Sequence, residues 1–242
     1  MASILYICVR PERGAADAEH ASFLRGLGVT ELDQLDLVAD ALTSEVLERH
    51  DAFVIGGSPF NVTDAVKTPL QERVEADLER IAARTLEGAA SAFFTCFGIG
   101  VVTRMLGGTL TLEHPESTRA TEIHTTDAAA SDSVFGPSAP TLRVFTAHKE
   151  SAAAVPPSAT LLAKNDECPV QAYRVGEHLY AAQFHPEPTP RDFADRMTFY
   201  RNNGYFDAAE FSAVEAEVLA AQGVAGHDLL RRFAASVTVS TR

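Results

Sequence analysis

The stretch that decides the fold is Phe93-Phe94-Thr95-Cys96-Phe97-Gly98-Ile99-Gly100, in which an apolar strand runs directly into a helix. A residue on such a turn lies at the carboxyl end of a parallel strand, where open α/β sheets bind ligands. Gly98 lets the backbone approach closely, and the helix N-terminus adds partial positive charge. Both features favour a thiolate and predict a reactive Cys96. The alternative is an inert cysteine buried at a strand end.

On the N-terminal side of this turn, strand and helix signals alternate. Apolar or alternating runs predict strands over residues 4–9, 32–37, 52–55 and 89–95, and helical patterns cover residues 15–27, 69–86 and 98–106. This rhythm predicts an α/β protein with a parallel sheet and helices on both faces.

On the C-terminal side, the pattern changes to short β-like pieces at residues 110–112, 121–123 and 142–145, with a loop over 131–140. Two runs at 170–175 and 178–184 predict a hairpin. Residues 191–238 are predicted to be helical, with a break at 202–204. Apolar residues at helical spacing in this tail predict packing on the domain, or on a second subunit of a homodimer: Phe211, Val214, Val218 and Leu219. We expect one domain over residues 1–190 and a helical extension packed on it over 191–242.

Composition narrows the class of protein. The chain has 242 residues, 46% of them hydrophobic, and a net charge of −13. The acidic balance argues against nucleic-acid and anionic-membrane partners, since both require a cationic face. No apolar run reaches the roughly 18 residues of a membrane span, and the first residues fit a strand better than a signal peptide, so a cytoplasmic location is expected. The three cysteines include no CxxC pair, which predicts neither a disulfide framework nor a metal site.

A second motif, His185-Pro186-Glu187, follows the last predicted strand. With one residue between them, His185 and Glu187 can point to the same side of an extended chain. The carboxylate can then accept from one ring nitrogen and leave the other for a thiol, which is the arrangement of a triad. Alone, this tripeptide also fits a surface turn.

Together these segments resemble the class I glutamine amidotransferases, specifically the stand-alone GMP-synthase-like members, over about residues 1 to 190. Five motifs follow the family's order: Gly56-Gly57-Ser58-Pro59, Thr95-Cys96-Phe97-Gly98, Leu106-Gly107-Gly108, Ala147-His148-Lys149-Glu150, and Cys168-Pro169-Val170-Gln171-Ala172, which runs on to Gln183-Phe184-His185-Pro186-Glu187. The resemblance implies a flavodoxin-like three-layer sandwich with a mostly parallel central sheet, a small β-subdomain and a helical C-terminal tail.

The resemblance also implies residue roles. Cys96 is expected as the nucleophile, His185 as the base and Glu187 as its orienter, with the backbone N–H groups of Gly57 and Phe97 as the oxyanion hole. Further residues are expected at the substrate pocket, without a cofactor or metal: Gly56, Gly100 and His148. His148 is equally interpreted as a packing residue, and without the resemblance the Gly56-Gly57 pair fits a simple turn.

Three positions depart from the family pattern. Phe94 replaces the glycine before the cysteine and must pack under the turn. Gly100 replaces a glutamine that in relatives helps to hold the substrate, and Glu150 stands where Asp is usual. Loss of one polar pocket contact costs about 1–3 kcal/mol, so the substrate need not be glutamine itself.

The expected function is hydrolysis of a γ-glutamyl amide, glutamine or a similar small molecule, through a Cys thioester that releases glutamate and ammonia or an amine. One alternative is an amidotransferase that passes ammonia to a separate synthetase chain, because the sequence carries no synthetase domain. A second is a γ-glutamyl peptidase that needs no such partner. A third is a non-catalytic member that kept the fold.

Overall fold

The computed structural model describes residues 2–237. These residues form eleven strands: β1 (Ile4–Cys8), β2 (Asp33–Asp36), β3 (Ala52–Ile55), β4 (Ser91–Thr95), β5 (Leu110–Thr111), β6 (Glu116–Thr125), β7 (Thr141–His148), β8 (Ser151–Ala152), β9 (Ala159–Lys164), β10 (Ala172–Val175) and β11 (Leu179–Ala182). They also form seven α-helices: α1 (Arg13–Leu27), α2 (Ser44–Arg49), α3 (Pro69–Leu86), α4 (Phe97–Met105), α5 (Pro190–Met197), α6 (Phe211–Leu219) and α7 (Gly226–Ser236).

Nine strands form one sheet in the order β2-β1-β3-β4-β11-β10-β9-β6-β7. The first five run parallel to one another, which confirms the predicted parallel sheet. Strands β10, β9, β6 and β7 continue the sheet with antiparallel pairing. The β-pieces expected in a small subdomain therefore extend the main sheet at one edge, and only β5 and β8 pair separately. The predicted hairpin is present as β10 and β11.

Helices cover both faces of the sheet, as the alternating pattern predicts. One apolar cluster joins α3 and α4 to one face of β1, β3 and β4. Successive residues of a strand point to opposite faces, so the alternate residues of the same strands join α1 and α7 in a second cluster. The result is the expected three-layer α/β sandwich.

Local sequence explains where several helices begin. In α3, the side chain of Thr68 accepts a hydrogen bond from the Gln71 amide, and Pro69 stands at the first helical position, where its missing N–H costs nothing. In α5, Thr189 and Asp192 form a reciprocal capping box. These caps fix the first turns of two helices whose other faces contact the sheet or α1.

The tail lies against the sandwich. Helices α5 and α6 share an apolar cluster with β7, in which Val218 is fully buried and Phe211 and Val214 are partly buried, while Leu219 is 39% exposed. This packing is in keeping with an extension on one domain. The boundary at residue 190 and the homodimer stay predictions, and the predicted helical end at Thr238 lies outside the described residues. Among the helices of residues 2–237, none is long and apolar enough to cross a membrane.

Candidate active site

Cys96 lies on the sharp turn between β4 and α4. Its backbone has φ 48° and ψ −103°, and it is the one residue other than glycine with a positive φ in the described part of the chain. Such a conformation costs about 1–3 kcal/mol and persists where the surroundings enforce it, most often at functional sites. The strained turn brings the thiol to the carboxyl end of the parallel strands, as the sequence predicts.

The packing of Phe94 explains how this turn tolerates a bulky residue. The Phe94 ring is fully buried beneath α4. A Cβ placed on Gly98 would lie 3.0 Å from the Phe94 Cβ and 3.1 Å from its Cδ1. The absence of a side chain at Gly98 therefore makes room for the ring, which replaces the glycine that the family pattern has two residues before the cysteine.

His185 and Glu187 form the expected pair at the end of β11. The amide of His185 donates to the Phe145 carbonyl at 2.8 Å, which fixes its backbone against β7. The imidazole Nδ1 is 3.0 Å from the Glu187 Oε1 and donates to this carboxylate. In the neutral imidazole, Nε2 is therefore the acceptor. His185 lines the same cavity as Cys96, whose thiol donates to the Ala147 carbonyl at 3.9 Å.

Electrostatics favour a charged pair at these two residues. Burial is the largest single effect and disfavours the imidazolium, but the Glu187 carboxylate and Cys96 together outweigh it and raise the pKa of His185 to about 9. Burial also opposes ionisation of Glu187, yet His185 and Arg196 hold the pKa of this carboxyl well below its ordinary value. A permanently ionised Glu187 stabilises a protonated His185.

Two arginines complete a buried charged cluster behind the imidazole. Arg196 on α5 donates from Nη1 to the Glu187 Oε1 at 2.6 Å and to the Glu19 Oε1 at 3.3 Å. Arg10, two residues after the end of β1, donates to the same Glu19 oxygen from Nε at 2.8 Å and from Nη2 at 2.7 Å. Glu19, Glu187 and both arginines are at most 5% exposed. The cluster therefore ties the helices α1 and α5 to the imidazole of His185.

The glycine loop after β3 is shaped by this cluster. The Gly57 amide donates to the Glu19 Oε1 at 3.2 Å, so this N–H is not the free oxyanion donor expected from the sequence. A Cβ on Gly57 would lie 2.6 Å from the His185 Cε1 and 2.8 Å from the Arg10 Nη2, so glycine is required for this close approach. Phe97 differs, because its N–H stands at the first position of α4, where no intrahelical acceptor exists.

Gly100 and Glu150, which both differ from the family pattern, lie next to each other in the structure. A Cβ on Gly100 would lie 3.0 Å from the Glu150 Oε1 and 3.2 Å from the Val62 Cγ2. The Glu150 carboxylate accepts from the Val62 and Thr63 amides, both at 2.8 Å, and from the Thr63 hydroxyl. The longer acidic side chain thus occupies space next to the position where relatives carry glutamine. Its oxygens are used inside the protein.

Of the remaining predicted pocket residues, His148 borders the open space beside Cys96, whereas Gly56 and Gly100 do not. His148 donates from one ring nitrogen to the Glu150 carbonyl at 3.0 Å, while the other contacts a Glu116 carboxylate oxygen at 2.7 Å. These contacts fit a packing residue, although the His148 side chain borders a cavity. Gly56 and Gly100 do not line either of the two cavities beside Cys96 within the described chain. Their expected substrate contacts are therefore not supported.

Cys96 separates two cavities. The first, about 40 Å³, has His185, Arg10 and Arg196 in a wall completed by apolar and aromatic side chains: Phe193, Met197, Tyr200, Tyr205 and Phe206. The second is smaller, about 10 Å³, and polar groups form much of its wall: Asn61, His148, Lys149, Glu150 and Gln183. Ser58 and Tyr205 border both. A substrate attacked by Cys96 would thus have its two halves in different surroundings.

Two buried groups of side chains have ligand-type atoms within 4.8 Å of one another: Glu116, His148 and Cys168 in one, and Glu19, His185 and Glu187 in the other. In the first, His148 and Glu116 already bind each other. In the second, guanidinium groups contact both carboxylates and oppose a cation. The expected absence of a metal and a cofactor stays a prediction.

Three residues of the site were not predicted from the sequence: Arg10, Glu19 and Arg196. Arg10 could have been predicted, since it lies two residues after the end of β1, at the edge of the sheet where ligands bind. Glu19 could not, because a glutamate within a helix ordinarily faces solvent. Arg196 reaches the site only through the packing of α5, which no local pattern indicates.

Known proteins share this architecture. A model of the family described as glutamine amidotransferase class-I matches residues 27–202. A glutamine amidotransferase structure from Thermotoga maritima superposes with a TM-score of 0.71 at 17% identity and covers 98% of this chain and 100% of that one. At this identity the superposition shows the fold alone.

Two curated relatives are similar in sequence. Gamma-glutamyl peptidase 3 of Arabidopsis thaliana is 29% identical over 148 residues, which cover 58% of this chain and 56% of the relative. A glutamine-hydrolyzing GMP synthase subunit of Methanobrevibacter smithii is 28% identical over 108 residues, 43% of this chain and 55% of the relative. The chain thus spans little more than half the length of these relatives. Because the family match covers well over half of the chain, the chain belongs to the class I glutamine amidotransferase family.

Proposed function

We propose that the chain hydrolyses a γ-glutamyl amide through a thioester on Cys96, with His185 as base and Glu187 as its orienter. The observation that carries this proposal is the strained Cys96 turn in the same cavity as an imidazole that donates to a buried carboxylate. A nucleophile, a base within the same cavity and a group that orients the base are the three parts of a covalent amidase.

In the proposed reaction, the S–H turns away from the Ala147 carbonyl and its proton passes to His185 Nε2, where the raised pKa of His185 favours an imidazolium beside a Cys96 thiolate. The thiolate then attacks the γ-carbonyl carbon. The oxyanion lies near the Phe97 N–H at the helix N-terminus, where a backbone donor contributes roughly 10²–10³ in rate. The C–N bond then breaks, and the imidazolium gives its proton to the leaving amine. Water, deprotonated by His185, attacks the thioester, releases glutamate and restores the thiol.

The polar wall of the second cavity matches the charged groups of a glutamyl group, and its volume of about 10 Å³ must widen to admit one. The Gln183 side chain is 2% exposed, and its Oε1 has no partner among the described residues, so it can accept from the α-ammonium. Lys149 borders the same cavity, with its Nζ 5.3 Å from the centre of the Tyr205 ring, and can bind the α-carboxylate. This arrangement replaces the contacts that Gly100 and Glu150 do not provide.

Two reaction types remain within this class. The similarity to the archaeal GMP synthase chain supports an amidotransferase that hands ammonia to a separate synthetase. The similarity to gamma-glutamyl peptidase 3 supports a peptidase that works alone. The larger cavity on the His185 side of Cys96 favours the peptidase, because the two substrates share the glutamyl group and the ammonia that leaves glutamine would not use this space.

The test measures glutamate release from glutamine and from γ-glutamyl dipeptides in parallel. We expect faster release from dipeptides, and no release by Cys96→Ser. The matched control is Cys8→Ala, which leaves the site intact. Absence of release from every γ-glutamyl compound would refute the proposal.

Alkylation with iodoacetamide separates a catalytic protein from a non-catalytic one. Burial raises the pKa of Cys8 to about 11 and that of Cys168 to about 12, so neither thiol reacts appreciably near pH 7. We expect labelling at Cys96 alone, with a rate well above that of a free thiol at pH 7. A rate equal to that of free cysteine would favour the non-catalytic interpretation.

A further inference from the structure

We propose that the larger cavity beside Cys96 binds a carboxylate on the leaving amine, held by Arg196 and Arg10. The preferred substrates are then γ-glutamyl compounds whose amine part is an α-amino acid with a free carboxylate. This inference rests on the proposed hydrolysis and names the substrate class of the same site.

Arg196 provides the main observation. The side chain is 3% exposed and lines the cavity, and its Nη1 is fully used by Glu187 and Glu19. Its Nε and Nη2 have no hydrogen-bond partner in the described part of the chain. A buried guanidinium with two unused donor nitrogens is costly unless a ligand or water satisfies them. Nε and Nη2 form the planar fork that binds a carboxylate through two parallel hydrogen bonds.

Arg10 adds a second cation in the same wall. It is held rigidly, since Nε and Nη2 contact Glu19 and Nη1 donates to the Tyr200 hydroxyl at 3.0 Å. The cluster contains two guanidiniums and two carboxylates before His185 is counted. These four charges cancel, and a protonated His185 is balanced by the Cys96 thiolate, so a ligand carboxylate that enters this cavity meets no net negative charge from the cluster.

The identity of the leaving side follows from His185. The imidazole must give its proton to the departing nitrogen, so the amine lies against His185. The cavity that contains Arg10 and Arg196 is lined by His185, whereas the wall of the smaller cavity is not, as far as residues 2–237 show. The carboxylate of an α-amino acid is two bonds from its nitrogen, which brings it within a few ångströms of the imidazole.

The remaining wall indicates the kind of amino acid. Apolar side chains on α5 and in the segment after it face the same cavity: Phe193, Met197 and Phe206. They fit an apolar side chain on the leaving amino acid. Ammonia, the leaving group of glutamine, would use neither the arginines nor this apolar wall.

The experiment compares γ-glutamyl-leucine with γ-glutamyl-leucinamide, which differ only in the terminal carboxylate. We expect kcat/KM to be at least about tenfold higher for the acid, because hydrogen bonds to a charged group are worth more than neutral ones. Arg196→Gln should bring the ratio of acid to amide close to one. Arg191→Gln, an exposed arginine on the same helix, should leave the ratio unchanged.

The ratio of kcat/KM for the acid to that for the amide distinguishes loss of carboxylate binding from structural damage. Arg196 also holds Glu187, so its loss lowers turnover of both substrates, but a purely structural role would not change their ratio. Calorimetry with the Cys96→Ser variant measures the same preference as affinity without turnover. A ratio near one in the unmodified enzyme, or an unchanged ratio in Arg196→Gln, would overturn the inference alone. Absence of hydrolysis of any γ-glutamyl compound would instead overturn the proposed function.

Discussion

Replacement of Glu187 by Gln removes one charge from the site with little change of shape. Burial opposes the imidazolium of His185, and the Glu187 carboxylate is the largest contribution that raises its pKa to about 9 from an ordinary value of 6.5. A tenfold change in proton affinity corresponds to about 1.4 kcal/mol, so this rise represents about 3 kcal/mol of interaction. In Glu187→Gln this contribution is lost while burial still opposes the imidazolium, so the pKa of His185 should fall.

The same interaction makes stability depend on pH. Because the folded pKa of His185 is raised, its contribution is fully present below about pH 6.5 and is lost as the pH rises through about 9. The pKa of Glu187 is lowered, so the contribution of this carboxylate is present above about pH 4.5 and lost as the pH falls. The wild-type advantage over Glu187→Gln should therefore be largest between these limits, near pH 5–6.

Urea denaturation of both proteins at pH 6 and pH 9.5 measures this advantage. We expect the difference in unfolding free energy to decrease by up to about 3 kcal/mol between the two pH values. Glu177→Gln, at an exposed turn, is the matched control and should show no such change. NMR titration of the His185 ring measures the pKa of this residue directly in both proteins. An equal stability difference at both pH values, with an unchanged His185 titration, would refute the proposed charge pairing.

Three further substitutions test the shape of the site. Gly57→Ala places a Cβ 2.6 Å from the His185 Cε1, so the ring must move away by roughly 0.8 Å to reach an ordinary contact distance. We expect this displacement to lower kcat/KM by about 10²-fold. Near-native turnover would contradict the close approach of Gly57 to His185. Gly100→Gln should destabilise the protein by about 1–3 kcal/mol through overpacking against Glu150. Glu150→Asp should relieve part of this loss in the double variant, so additive effects in denaturation experiments would argue against a shared space.

Much of the fold, the turn at Cys96 and the contact between His185 and Glu187 could be predicted because their signals are local, while the catalytic roles of these residues stay predictions. The alternation of strand and helix patterns indicates directly which residues are buried, and eight consecutive residues are enough to predict the turn at Cys96. His185 and Glu187 lie two residues apart, so an extended backbone alone brings their side chains together. The antiparallel continuation of the sheet was less visible, because short β-like runs do not indicate which edge they join.

The rest of the site depends on contacts between distant segments. Glu19, Arg10 and Arg196 are drawn together from α1, the end of β1 and α5, and only their shared burial makes them a cluster. The use of the Gly57 amide by Glu19 follows from this packing and altered the expected oxyanion hole. Contacts of this kind depend on how distant segments pack together, and the periodicity and spacing of residues in the sequence do not predict that packing.

The most direct test of the central claim is the site of covalent modification by a γ-glutamyl chloromethyl ketone, located by mass spectrometry of the intact protein and its peptides. We predict one adduct per chain, on Cys96, with hydrolytic activity lost in proportion to labelling and protection by a γ-glutamyl dipeptide. An unlabelled Cys96 under conditions in which the enzyme turns over, or loss of activity without modification of this residue, would contradict the proposed thioester chemistry.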